Sequence, residues 1–258
     1  MNTPNPVGRQ AVPRGFPGIL PGDHVPTVRG QCRRRISALG SGIMPIILAP
    51  MSMLDLDRLA GTKLETDPYP YLIVPGFLGA AACKAVQEDY PEIERPGSFP
   101  ASELQYGPAF GRLLDELAGD AMRQAFAQKF GLDLTGRPTM ITVRGRAQAK
   151  DGRIHADSKT KLITVLLYMN GAWEAPGGRL RLLHSDRSLD DVVAEVPPDE
   201  GTLVAFKVTP QSWHGHGSFV GPRRVIQLNW VTDDDVVRHE QARHRFSAKV
   251  KRFLRFGS

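Results

Sequence analysis

The chain reads as an α+β protein in which helices come first and a run of short strands follows. The strands suit a β-sandwich or barrel with the helices packed on one side. Two changes of period carry this expectation. Between Phe110 and Gly131 the apolar residues recur at helical spacing, and after Gly136 they alternate every second residue.

In chain order, Tyr71-Leu72-Ile73-Val74 predicts a strand closed by the turn pair Pro75-Gly76. Ala80 to Tyr90 is rich in helix formers. Phe110, Leu113, Leu114, Leu117 and Ala121 fall at i, i+3, i+4, i+7 and i+11, one stripe of a helix that Gly131 ends. Ile141 and Val143 alternate with Thr142, Arg144 and Arg146, and Leu162 to Met169 is a nearly continuous apolar strand. Leu180 to Leu183, Thr202 to Lys207 and Val225 to Val231 complete the strands, separated by Gly, Pro and Asp turns.

Charge divides the 258 residues into three parts. Residues 1–50 hold six arginines, no lysine and one acid, and 15 of the 50 are proline or glycine. Residues 51–235 carry 20 basic and 25 acidic side chains, and residues 236–258 carry seven basic groups against Glu240 alone. The formal charge of +6 therefore belongs to the two ends of the chain and not to its acidic body, so no nucleic acid is expected as partner. Residues 1–52 are expected to be a disordered leader, either a regulatory arm or a targeting segment, or else a gene-model extension with translation starting at Met51 or Met53. Residues 53–235 are the expected globular domain. Residues 236–258 are expected to form a basic helix, with Phe246, Val250, Phe253 and Leu254 on one face, as a surface helix or a membrane or RNA contact. The longest apolar run, Ile43 to Met51, has nine residues where a membrane span needs about 20. Cys32 and Cys83 are too few for a disulfide framework or a four-thiolate zinc site, which reads as reduced thiols and a cytoplasmic protein.

Three polar groups stand beside apolar strand sequence: His155, Asp157 and His214. At i and i+2 on an extended chain, His155 and Asp157 share a face and can reach one ion. Alone, the pair is a weak signal and reads as a surface histidine near a turn aspartate. With His214 it makes two imidazoles and one carboxylate, a set that leaves metal positions open and suits non-haem Fe(II) oxygen chemistry. No helical H-E-x-x-H is present to favour hydrolytic zinc. Arg224 shares a strand face with Ile226, Leu228 and Trp230, and a guanidinium at the end of an apolar face needs an anion. That anion could be the far end of a dicarboxylate or a protein acid.

His155-x-Asp157, Lys161-x-x-Thr164, Leu167-Tyr168-Met169-Asn170, Gly177-Gly178-x-Leu180, Trp213-His214-Gly215 and Arg224-(x5)-Trp230 follow one another as in Fe(II)/2-oxoglutarate-dependent dioxygenases. The resemblance covers about residues 69–233 and is nearest to the prolyl 4-hydroxylase-like branch. It implies a double-stranded β-helix (jelly-roll, cupin-like) with Fe(II) held by His155, Asp157 and His214. It also implies that Arg224 pairs with the distal carboxylate of 2-oxoglutarate, and that Tyr168 and Thr164 line the cosubstrate pocket. The implied reaction consumes dioxygen and 2-oxoglutarate, releases succinate and CO2, and hydroxylates an unactivated C–H bond of a peptide or small molecule, with ascorbate as a candidate reductant. Gly177-Gly178 is expected to make a turn without chemistry, and the loops 95–110 and 184–200 to cover the pocket. His216 is a competing ligand or substrate group, and Arg146 and Gln148 are candidate substrate contacts. A cupin-like non-redox metal enzyme, or a silent binding module on the same barrel, are the competing functions.

Overall fold

The computed structural model describes residues 52–238. The expectations for residues 1–51, and for the C-terminal helix beyond Arg238, lie outside the described residues.

The first helix is α1 (Leu56–Gly61), followed by β1 (Tyr71–Val74), α2 (Ala80–Glu88) and a two-residue strand β2 (Phe99–Pro100). The single helix expected up to Gly131 is two: α3 (Pro108–Ala118) and α4 (Asp120–Phe130), broken at Gly119. Gly119 is extended, and the buried stripe restarts beyond it at Met122, Phe126 and Phe130, so Ala121 falls out of register and is exposed. Gly131 ends α4 in the left-handed conformation (φ 61°), where a residue without Cβ is favoured.

Seven further strands follow: β3 (Thr139–Ala147), β4 (Lys161–Tyr168), β5 (Leu180–Leu183), β6 (Val192–Val196), β7 (Leu203–Lys207), β8 (His214–His216) and β9 (Gly221–Val231). The sequence reading missed α1, β2, β6 and β8, which are short or, in β6, only partly buried. β6 lies inside 184–200, so that segment is partly sheet and not only a loop. A six-stranded sheet runs β1-β7-β4-β9-β3-β2, and a three-stranded sheet runs β6-β5-β8. All pairings of the named strands are antiparallel. This is the α+β jelly-roll expected from the resemblance.

The large sheet has two differently occupied faces. On one, Val143, Val165, Leu167, Ile226, Leu228 and Trp230 join Phe110, Leu113, Leu117 and Phe126 in the main core, with the Phe126 and Trp230 ring centroids 5.0 Å apart. On the other, Tyr168, Val204, Phe206 and Val225 meet Leu180, Leu182 and Val196 of the small sheet. The helices therefore take the more apolar face of the sheet. The space between the two sheets is left to a smaller core and a cavity.

Candidate active site

His155 and His214 exchange both backbone hydrogen bonds, at 3.0 Å each, as an isolated antiparallel bridge. This pairing puts their ring centroids 4.3 Å apart. With Asp157 two residues beyond His155, the three side chains offer ligand atoms that all lie within 4.8 Å of one another. In each imidazole Nδ1 lies against the carbonyl two residues earlier, His155 against Arg153 (2.8 Å) and His214 against Ser212 (2.9 Å). A carbonyl only accepts, so each Nδ1 carries the proton and each Nε2 keeps its lone pair for a metal. Burial lowers the His214 pKa to about 4, with His155 adding repulsion, so the ring is neutral near pH 7 as a ligand must be.

Both carboxylate oxygens of Asp157 have partners. Lys161 Nζ donates to Oδ1 at 2.8 Å and Thr164 Oγ1 to Oδ2 at 2.5 Å. Thr164 in turn accepts from Asn229 Nδ2 at 2.8 Å. Burial alone would raise the pKa of Asp157, but the charge of Lys161, the neighbouring His214 ring and the hydrogen bonds from Lys161 and Thr164 outweigh it and hold the carboxyl below its usual value. The donor set is thus ionised, aimed and braced, and fits a divalent ion of the Fe(II) type.

The cavity beside these groups measures about 110 Å³ and is lined by Thr164, Leu166 and Tyr168 of β4, Arg144 of β3, and Arg223, Val225 and Gln227 of β9, among others. Thr164 and Tyr168 therefore stand where expected. Tyr168 is fully buried and its hydroxyl has no hydrogen-bond partner.

Arg224 does not join them. Its guanidinium lies 5.0 Å from the ring centroid of Tyr90, on the helix side of the sheet. The neighbouring Arg223, only 7% exposed, faces the cavity, donates from Nε to the Gly178 carbonyl at 2.8 Å and lies 5.4 Å from the Tyr168 ring centroid. The expectation for Arg224 is corrected for a physical reason. Strand parity puts Arg224 on the apolar face of β9, but the helices claim that face and the more polar face lines the cavity. The available signal is the polar residues that recur on this face of neighbouring strands: Thr164, Tyr168 and Gln227 at the cavity, and Asn229 bonded to Thr164.

Two other motifs of the resemblance position the arginines. Gly178, in the left-handed region at φ 79°, supplies the carbonyl that holds Arg223. Asn170 grips both backbone groups of Arg224: Oδ1 accepts from its N–H (2.6 Å) and Nδ2 donates to its carbonyl (3.0 Å). This fixes the start of β9 and so the aim of the next side chain back.

His216 lines the cavity but lies outside the three-residue cluster, and its Nδ1 lies 2.9 Å from the Gly217 carbonyl. Gly152 is packed so closely that a Cβ there would come within 2.4 Å of this ring. Gln148 bonds Asp151 through its backbone N–H and side chain, and neither it nor Arg146 lines the cavity. Arg144, read only as an alternating strand residue, does line it. Of the two expected covering loops, 184–200 brings the Leu189 side chain to Gly215, whereas Phe99, Glu103 and Leu104 line a separate groove.

Among the described residues, no helix is long and apolar enough to cross a membrane. Residues 146–232 match the family described as the 2OG-Fe(II) oxygenase superfamily. The match bears out the resemblance carried by the motifs and includes His155, Asp157, His214 and Arg223. No curated protein sequence matches the chain. A prolyl 4-hydroxylase from Phytophthora capsici has a similar fold, with 17% identity, 74% of this chain and 70% of that chain covered, and a TM-score of 0.51. A prolyl-4-hydroxylase from Pseudomonas putida aligns at 20% identity over 69% of this chain and 97% of that one, with a TM-score of 0.45.

Proposed function

We propose, taking the chain as a dioxygenase of the 2OG-Fe(II) oxygenase superfamily, that it hydroxylates an unactivated C–H bond of a peptide or small molecule. In this reading it consumes 2-oxoglutarate and dioxygen, releases succinate and CO2, and uses ascorbate as a reductant. The observation that carries the reading is the convergence of His155, Asp157 and His214 at one end of a cavity that also holds Arg223. Bound there, Fe(II) supplies the one-electron and dioxygen chemistry that amino-acid side chains lack.

The remaining work belongs to the chain. His155 and His214 present Nε2, and Asp157 presents one oxygen while Lys161 and Thr164 hold the carboxylate in place. Arg223 takes the role expected of Arg224 and pairs with the distal carboxylate of the cosubstrate, with the Tyr168 hydroxyl as a further donor. Apolar Leu166, Leu180 and Val225 keep the walls between these groups dry. A non-redox cupin-type enzyme has no need of an anion-binding end to the cavity.

The test is succinate release from 2-oxoglutarate with and without Fe(II), in the parent protein and in Asp157→Ala. The expected result is iron-dependent turnover that falls at least about a hundredfold in the variant, because the remaining imidazoles lose their only anionic co-ligand. Undiminished turnover in Asp157→Ala would overturn the reading.

A further inference from the structure

We infer that Arg144 is a second guanidinium for the distal carboxylate of the oxo-diacid, so that an arginine pair grips this end of the cosubstrate. The inference rests on the proposed 2-oxoglutarate reading and adds to it a residue outside the matched segment. Arg144 of β3, Val225 of β9 and Tyr168 of β4 are cross-strand partners in one row of the large sheet. Side chains in such a row point to the same face, and Arg223, two residues before Val225, points there as well. Arg144 and Tyr168 thus flank Arg223's strand from its two neighbours, and all three line one cavity. Thr164, which bonds the metal-binding carboxylate, lies four residues from Tyr168 along β4, about 13 Å at strand rise. The basic groups therefore gather toward the end of the cavity away from Asp157.

The charges at that end are unmatched. Among the described residues, neither Arg144 nor Arg223 forms an ion pair with a carboxylate. Asp157 is already paired with Lys161. Asp151 acts on Arg144 from a distance, and its two oxygens bond Gln148. Two like charges in one cavity repel until an anion separates them, and the orphaned Tyr168 hydroxyl supplies a neutral donor beside them. A carboxylate has two oxygens and about four lone-pair sites, enough for one guanidinium fork, a single N–H of the second guanidinium and a phenol. A 2-oxo acid with no distal carboxylate satisfies none of these donors.

The experiment measures anaerobic binding of 2-oxoglutarate and of 2-oxobutyrate, which lacks the distal carboxylate. The parent, Arg144→Gln, Arg144→Lys and Arg223→Gln proteins are compared. The readouts are the Fe(II)–oxoacid absorbance band and calorimetry on the Zn(II) forms. Arg144→Gln is expected to weaken 2-oxoglutarate at least about tenfold while 2-oxobutyrate stays within about twofold, and Arg144→Lys is expected to fall between. Parent-like 2-oxoglutarate binding in Arg144→Gln overturns the inference. So does equal weakening of both acids, which marks a purely structural role. Should Arg144→Gln fail to fold, as judged by lost metal binding, Arg144→Lys decides: selective loss of 2-oxoglutarate supports the pair, and parental affinity overturns it. A parent protein that binds 2-oxoglutarate no better with metal than without overturns the underlying reading instead. The two failures are therefore distinct.

Discussion

On β9, Ile226, Leu228 and Trp230 are buried under the helices, while Arg223, Val225, Gln227 and Asn229, one residue out of step, face the space between the sheets. Both faces are largely shielded from water, but they are filled by different rules. The helix side is close-packed aromatic and aliphatic surface, where burial alone contributes stability. The cavity side holds two hydroxyls, two amides and two guanidiniums, each costly to bury unless something pairs with it. An apolar strand face therefore identifies where the helices pack, and the polar face opposite identifies the chemistry.

The sharpest way to break the comparison is a truncation on the helix side. Trp230→Ala is expected to cost about 3–5 kcal/mol of stability in urea unfolding, through the lost contact with Phe126 and the cavity left behind. The corresponding loss on the cavity side is functional. Arg223→Gln should weaken 2-oxoglutarate binding about ten- to a hundredfold, the range for removing a charged hydrogen-bonding partner. Thr164→Val should lower metal affinity about tenfold, measured by chelator competition, because Asp157 loses one of its two braces.

A pH series on the metal-free protein separates the faces without mutation. Burial lowers the pKa of His214 and of His216 to about 4 from 6.5, helped by His155 at the first and Arg223 at the second. Between those values the unfolded chain binds protons that the folded chain refuses. Stability is therefore full above pH 6.5 and falls as pH drops toward 4, with a slope approaching about two protons. Urea midpoints in the presence of a chelator check this, and a flat profile would show that the two rings are not buried as described. The smallest effect is expected from Arg224→Gln, on the helix side of the same strand. It should leave 2-oxoglutarate affinity within about twofold, which binding measured beside Arg223→Gln will show.

The sequence alone pointed to the strand-rich domain, the strand Tyr71–Val74, and the candidate ligands His155, Asp157 and His214, which the structure brings together. These follow from local rules: period two, i and i+2 on one face, and residue types that suit a metal. It also named Thr164 and Tyr168, through the family resemblance. The choice between Arg223 and Arg224 was not local. Strand parity separates the two side chains but says nothing about which layer covers which face. That depended on α2, α3 and α4 packing against one side of the sheet. The grip of Asn170 on the β9 backbone and the placing of Arg144 beside Arg223 likewise join segments distant in sequence. The tertiary structure decided them because cross-strand register and the side on which a layer packs are set by the whole sheet, not by any one segment.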